Sequence, residues 1–232
     1  MTAIPSPVKI NGFQNIAAKA IGHARDHAQF WVNQVVGRVH IADTPHMDEE
    51  AARFFLDRLE TSAFYMEYGS GGSTIQAVRR GKAFVSVESD PVFLSSLLEK
   101  AGQLSPDQKV LYADIGLTGL WSYPVFKNPA ADRMQKWSDY PETPWRDTSR
   151  APDLILIDGR FRVASALTCL QHLGSEPATM LIDDYAQRPS YKIIADFADL
   201  TTMCGRMAVF QTRPKPLPDL RSIINGYRAD WR

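Results

Sequence analysis

The sequence predicts an α/β domain built as a three-layer, doubly wound and mostly parallel sheet, preceded by N-terminal helices. Three observations predict it. Short runs of apolar or β-branched residues at 64–68, 84–88, 110–113, 154–157 and 180–182 alternate with stretches of helical period. That alternation is the mark of βαβ units, whose crossover helices cover both faces of a parallel sheet. Leu154-Ile155-Leu156-Ile157 is continuously apolar, as a strand covered on both faces must be. The first run ends in the glycine cluster Gly69-Ser70-Gly71-Gly72, at the carboxyl edge where open parallel sheets bind ligands.

The elements follow in chain order. Phe13, Ala17, Ala20, Ala24, Ala28, Trp31 and Val35 recur every three or four residues and predict an amphipathic helix over 13–36, stopped by Gly37. A second helix is predicted from Thr44-Pro45, with Thr as cap and Pro at the first helical position. Asp48, Glu49 and Glu50 fall in its early turns, and Ala52, Phe55, Leu56 and Leu59 on its buried face. Helices are predicted at 74–80, 91–101, 164–173 and 191–200, between the strands. Residues 200–203 and 207–210 flank Gly205 and predict a closing antiparallel hairpin. Residues 117–150 break the rhythm with four prolines (Pro124, Pro129, Pro141, Pro144) and with Trp121, Trp137 and Trp145. An insertion this long is a functional lid, an oligomer contact or a satellite core. The expected organisation is a helical extension at 1–43, the main domain at 44–212 with its insertion at 117–150, and a Pro-containing tail at 213–232.

Composition narrows the function classes. Of the 232 residues, 44% are hydrophobic and 22% charged, ordinary values for a globular chain. Lys plus Arg (26) equals Asp plus Glu (26), so the basic surplus that phosphate-tracking proteins carry is missing, and no nucleic-acid partner is expected. Cys169 and Cys204 form neither a disulfide framework nor a CxxC metal knuckle, which suits a reducing, cytoplasmic setting. No apolar run approaches the ~20 residues of a membrane span, so no membrane partner is expected. The N-terminal helix is read as a flank of the domain or the contact of a homo-oligomer.

The glycine turn carries the ligand chemistry. Glycines admit positive φ and close backbone approach, and the following helix offers amides without internal acceptors. Glu88 ends the next strand 19 residues after Gly69, where a carboxylate accepts hydrogen bonds from ribose hydroxyls. Together they imply an adenosine-type ligand, a dinucleotide or S-adenosylmethionine. The dinucleotide pattern needs a small third position, here Thr74. Glu67, just before the glycines, repels a pyrophosphate but attracts an ammonium group.

Glu67-Tyr68-Gly69-Ser70-Gly71-Gly72-Ser73 resembles the first motif of class I methyltransferases, an acid followed by spaced glycines. Glu88 matches that family's acid after the second strand, Asp114 its acid after the third, and Asp158 and Asp183-Asp184 fall at the ends of the fourth and fifth. The resemblance covers about residues 48–211. It implies a seven-stranded sheet with an antiparallel last strand and S-adenosylmethionine as cofactor. By resemblance, Glu67 with Gly69, Ser70, Gly71, Gly72 and Ser73 would hold the methionine end, Glu88 the ribose and Asp114 the adenine side.

Asp158, Asp183 and Asp184 should emerge on the cofactor side of the sheet. Gathered carboxylates can hold Mg²⁺ and so orient a hydroxyl acceptor. This layout resembles cation-dependent O-methyltransferases, with two departures: Asp184 stands where those enzymes have Asn, and Gly159-Arg160 replaces their lysine-bearing segment. Without metal, Asp158 or Asp184 would act as general base, and a third reading makes the acids helix caps. Arg160 is placed to clamp an acidic acceptor; Arg162 and Arg188 read as surface ion pairs. The leading expectation is methyl transfer to an oxygen of a small-molecule acceptor. A non-catalytic nucleoside binder and a nicotinamide-dependent oxidoreductase are the alternatives.

Other signals carry less. His23 and His27 are four apart but lack the H-E-x-x-H context. No G-x-S-x-G elbow or phosphate-binding G-K-[ST] loop occurs. Cys169 reads as a core thiol.

Overall fold

The computed structural model describes residues 26–213 and 218–232. The chain divides at Gly37 into two compact units. In the first, the described residues form helix α1 (26–36), which ends at Gly37 with φ +72° and exposes Trp31, Val32, Val35 and Val36. Phe13, Ala17, Ala20, His23 and Ala24 lie outside the described residues.

The second unit, residues 38–232, is a layered α/β domain. Its strands are β1 (Tyr65–Tyr68), β2 (Phe84–Glu88), β3 (Gln108–Tyr112), β4 (Leu154–Ile157), β5 (Thr179–Ile182), β6 (Ala198–Cys204) and β7 (Met207–Thr212). They form one seven-stranded sheet in the order β3-β2-β1-β4-β5-β7-β6. Strand β7 runs antiparallel to β5 and β6; the other pairs are parallel. The order reverses between β1 and β4, which opens a crevice beyond their carboxyl ends. Helices α2 (Glu49–Thr61), α3 (Gly72–Arg79) and α4 (Pro91–Ala101) cover one face. Helices α5 (Ala131–Asp139), α6 (Thr143–Arg146), α7 (Arg162–Leu173) and α8 (Arg221–Tyr227) cover the other.

Successive strand residues point to opposite faces, and this builds two cores. Met66, Tyr68, Val85, Val87, Ile155 and Ile157 pack with α7 and the insertion. Tyr65, Phe84, Leu154, Leu156 and Leu181 pack with α2 and α3. Glu67 therefore shares the face of Tyr65, beneath α3.

Three elements differ from expectation. Helix α2 begins at Glu49, not at Thr44-Pro45, because Asp48 is drawn to Arg206: it accepts from the Arg206 amide at 2.9 Å. The 191–200 segment is not one helix: 3₁₀ turns over Pro189–Asp196 give way to β6, where pairing of Leu200 with Phe210 overrides the helical period. The segment 38–43 packs within the second unit, since Ile41 is buried and its carbonyl accepts from Lys100 Nζ at 2.5 Å.

The insertion is a strap over 117–125, closed by a bridge between Thr118 and Pro124, then α5 and α6. Trp137 is fully buried and donates through Nε1 to the Ile115 carbonyl at 3.1 Å. Trp145 Nε1 donates to the Tyr68 hydroxyl at 3.1 Å, and that hydroxyl donates to the Pro141 carbonyl at 2.6 Å. These two tryptophans belong to the core, whereas Trp121 is exposed at the strap's tip. The tail returns to α7: the Leu220 amide donates to Gln171 Oε1 at 2.6 Å. No helix among the described residues is long and apolar enough to cross a membrane.

Candidate active site

The crevice is framed by four turns at the sheet's carboxyl edge. The turn after β1 holds Gly69 at φ +90°, its amide donating to the Val87 carbonyl at 2.9 Å. A Cβ on Gly69 would lie 2.6 Å from both Cα and N of Gly159, so the turns after β1 and β4 touch backbone to backbone. A Cβ on Gly72 would overlap the Thr44 carbonyl. Gly71 is different: its backbone is extended and a Cβ there meets nothing, so it faces open space. The first turn of α3 presents amides without intrahelical acceptors to that space.

Glu67 does not reach the crevice. It is fully buried, and Ser73 Oγ donates to its Oε1 while Thr74 Oγ1 (2.6 Å) and Ser86 Oγ (2.7 Å) donate to Oε2. Ser86 spends its one proton on Glu67, so Ser70 Oγ must donate to Ser86 Oγ, at 2.7 Å. Thr74 also accepts from the Gly71 amide at 2.9 Å. The expectation that Glu67 meets an ammonium group is corrected by the strand's period-two alternation, which aims it under α3. Its carboxyl instead ties β1, β2 and α3 together beneath the glycines. Burial, opposed by the surrounding hydroxyls, raises its pKa. Ser70 and Ser73 are consumed in the same network.

Glu88 reaches the edge. Its Oε1 accepts from the amides of Ser89 (2.7 Å) and Asp90 (2.8 Å) and from Ser122 Oγ (3.0 Å), which leaves Oε2 without a donor among the described residues. Ser122 comes from the strap, where Trp121 and Ser122 both adopt left-handed φ, 59° and 56°. Thr118 Oγ1 pins the strap's base to Asp90 Oδ2 at 2.8 Å, and Trp121 packs on His46, ring centroids 5.2 Å apart. Asp114, just past β3, is exposed and paired with Lys136 Nζ at 2.7 Å, which holds its pKa low. A shallow groove lined by Ile115, Leu117, Phe126 and Lys136 lies beside it.

Burial is the main cause that pushes the Glu88 pKa up to about 7, from 4.5. Across that window the folded state holds the proton more tightly than the unfolded state. This group's contribution to stability therefore falls as pH rises from about 4.5 to about 7, and is constant above. Glu88→Gln is expected to weaken the decline, read as denaturation midpoints at roughly pH 5, 6 and 7. An unchanged slope would remove Glu88 as its source.

The turns after β4 and β5 form an ion network. Arg162, almost fully buried, forms an ion pair with Asp158 Oδ1 at 2.9 Å and donates to Asp184 Oδ2 at 3.1 Å. Arg188 reaches Asp184 Oδ2 at 3.3 Å. Arg206, from the β6–β7 turn, forks onto Asp183 (2.8–3.1 Å) and touches Asp184 Oδ1 at 3.0 Å and Asp48 at 3.4 Å. Sequence reading missed Arg206, Asp48 and Ser122. It also placed Arg162 at the surface.

The network does not fit the Mg²⁺ that the sequence suggested at Asp158, Asp183 and Asp184. Mg²⁺ needs several free oxygens in a near-octahedral set. Asp183 and Asp184 offer theirs to guanidinium groups, and no cluster of three or more His, Cys, Asp or Glu side chains able to hold a metal occurs among the described residues. Asp184, held by three arginines in a left-handed conformation (φ 59°), is also unsuited to taking a proton from an acceptor. Asp158 differs: only Oδ1 is paired, and 27% of its side-chain surface stays accessible. Burial, above all, pushes its pKa up to about 6, against the pull of Arg162.

Among solved structures, the chain is similar to a methyltransferase-like protein from Silicibacter pomeroyi DSS-3, with 32% identity over 84% of this chain and 100% of that one and a TM-score of 0.69. It is also similar to an S-adenosylhomocysteine-bound methyltransferase from Podospora anserina (13% identity, 90% of this chain and 99% of that one, TM-score 0.45). A TehB-like S-adenosylmethionine-dependent methyltransferase from Corynebacterium glutamicum is comparable (14% identity, 83% and 99%, TM-score 0.43). No family model matches the chain, and no curated protein does.

Proposed function

The chain belongs to the class I S-adenosylmethionine-dependent methyltransferase family, and from that premise we propose that it transfers a methyl group to an oxygen of a small-molecule acceptor. The observation that carries the reading is Glu88 Oε2, a carboxylate oxygen without a donor at the carboxyl end of β2. It lies one strand from the open side of Gly71. Bound there, S-adenosylmethionine would supply an electrophilic methyl on a sulfonium that leaves without acid assistance.

The chain's own residues do the rest. Gly71 and the first turn of α3 accommodate the carboxylate of a methionine moiety, with Glu67 holding that turn from below. Glu88 Oε2 accepts from a ribose hydroxyl. Asp114 and the groove beside it receive the base. Asp158 takes the acceptor's proton, and the rigid turns align the reactants. Equal numbers of acidic and basic residues favour a small acceptor over nucleic acid, and two buried free thiols suit the cytoplasm.

A thermal-shift series tests the reading. S-adenosylmethionine and S-adenosylhomocysteine are each expected to raise the melting temperature by mass action, with or without Mg²⁺, and NAD to leave it unchanged. Stabilisation by NAD alone would reject the assignment. An Mg²⁺ requirement would reject the metal-free site.

A further inference from the structure

We propose that Arg160 binds a carboxylate carried by the methyl acceptor, so that the acceptor is a hydroxy compound bearing a carboxylate. This rests on the methyltransferase reading. The ion network supplies the first argument by subtraction. Asp48, Asp158, Asp183 and Asp184 all pair with Arg162, Arg188 or Arg206, and none of them pairs with Arg160. Arg160 is the fourth guanidinium at this edge and has no carboxylate partner among the described residues. It is nevertheless 6% exposed, and its Nη1 is enclosed without a hydrogen-bond partner. An unmatched buried cation is costly to a fold. An anionic ligand would give this guanidinium the partner it lacks.

Its orientation is built. The guanidinium lies over the Tyr123 ring, 4.2 Å from the centroid, and the Arg160 amide donates to the Tyr140 hydroxyl at 3.3 Å. Stacking fixes the plane of the fork and leaves its edge as donor, the geometry that recognises a flat two-oxygen anion. Arg160 stands two residues beyond Asp158 and acts on it electrostatically. An anion held by Arg160 therefore sets the remainder of a small molecule beside the proposed base. A single guanidinium without an ion-pair partner suits a singly charged carboxylate; a phosphate dianion would add further negative charge next to Asp158 and Asp184.

The test uses the full chain saturated with S-adenosylhomocysteine and titrated calorimetrically with benzoate, with uncharged benzamide and inorganic phosphate as separate arms. Benzoate is expected to bind at least about tenfold more tightly than either. Arg160→Met should lower benzoate affinity at least about tenfold, keep S-adenosylhomocysteine affinity, and melt at an unchanged or higher temperature, since an unmatched buried charge is removed. Arg160→Lys should retain part of the binding. Equal binding of benzoate and benzamide, preference for phosphate, undiminished benzoate binding by Arg160→Met, or a melting temperature several degrees lower in that variant would each overturn the proposal. The parent reading fails separately. Arg160-dependent benzoate binding without S-adenosylhomocysteine binding rejects the transferase and keeps the carboxylate site. S-adenosylhomocysteine binding without discrimination between benzoate and benzamide rejects the carboxylate site alone.

Discussion

Gly69→Ala is expected to destabilise the domain by about 2–5 kcal/mol and to abolish S-adenosylhomocysteine binding. The φ of +90° already disfavours any Cβ. The added methyl would also sit 2.6 Å from two backbone atoms of Gly159 and 2.9 Å from the Asp158 carbonyl carbon. The contact is close from both directions, since a Cβ on Gly159 would lie 2.8 Å from Gly69 N and 2.9 Å from Tyr68 C. The turns after β1 and β4 would have to separate, and the crevice they frame would widen. Gly71→Ala provides the contrast. Its extended backbone suits any residue and its Cβ would meet nothing, so stability should change by less than about 0.5 kcal/mol. If the open side of Gly71 is where the cofactor's backbone contacts are made, the same substitution should still weaken S-adenosylhomocysteine binding at least about tenfold. Thermal melts and calorimetry read both effects. A Gly69→Ala protein that melts like the parent would show that the two turns are not in forced contact. A Gly71→Ala protein with full affinity would show that the ligand does not approach there.

The two glycines are indistinguishable as letters, and the example marks where the sequence stops being legible. The sheet could be read because its central strands are apolar runs bounded by turn residues, and 154–157 needs no tertiary knowledge to be a buried strand. The acids at strand ends could be placed at one edge because parallel strands share a direction. What each acid does could not. Glu67 and Glu88 both stand at or next to the carboxyl end of a strand, yet period-two alternation sends the first beneath α3 and the strand's end delivers the second to the crevice. Arg206 meets Asp183 only because β7 inserts between β5 and β6, bringing the β6–β7 turn beside β5. Ser122 reaches Glu88 through two successive left-handed residues that no local propensity favours. The tryptophans of the insertion carried no sign of their fate: Trp137 and Trp145 entered the core, and Trp121 stayed at the strap's tip. Thr44-Pro45 offered good start signals, but the helix yielded four residues to the Asp48–Arg206 contact.

Asp158→Asn is expected to lower turnover of a hydroxybenzoate acceptor by about 10²–10⁴-fold while leaving S-adenosylhomocysteine affinity within about twofold. The asparagine keeps the shape, and the bond from Arg162 to the backbone carbonyl is untouched, but it cannot take a proton. The pH dependence adds a sign that a structural role would not produce. Burial holds the Asp158 pKa at about 6, so the base form is lost on acidification and kcat/KM should fall below that pH, levelling above it. Asp184→Asn separates this from a general disturbance of the network. Asp184 neutralises parts of three guanidinium groups and has no free oxygen, so its loss should lower the melting temperature; it also removes a negative charge that raises the Asp158 pKa, so the acidic limb should move to lower pH while turnover on the plateau is kept. Initial rates from about pH 5 to 8 for the parent and both variants decide the matter. Full turnover by Asp158→Asn would end its role as base. Plateau turnover lost in Asp184→Asn but kept in Asp158→Asn would transfer that role to the neighbouring acid and require the arginines to release it during the reaction.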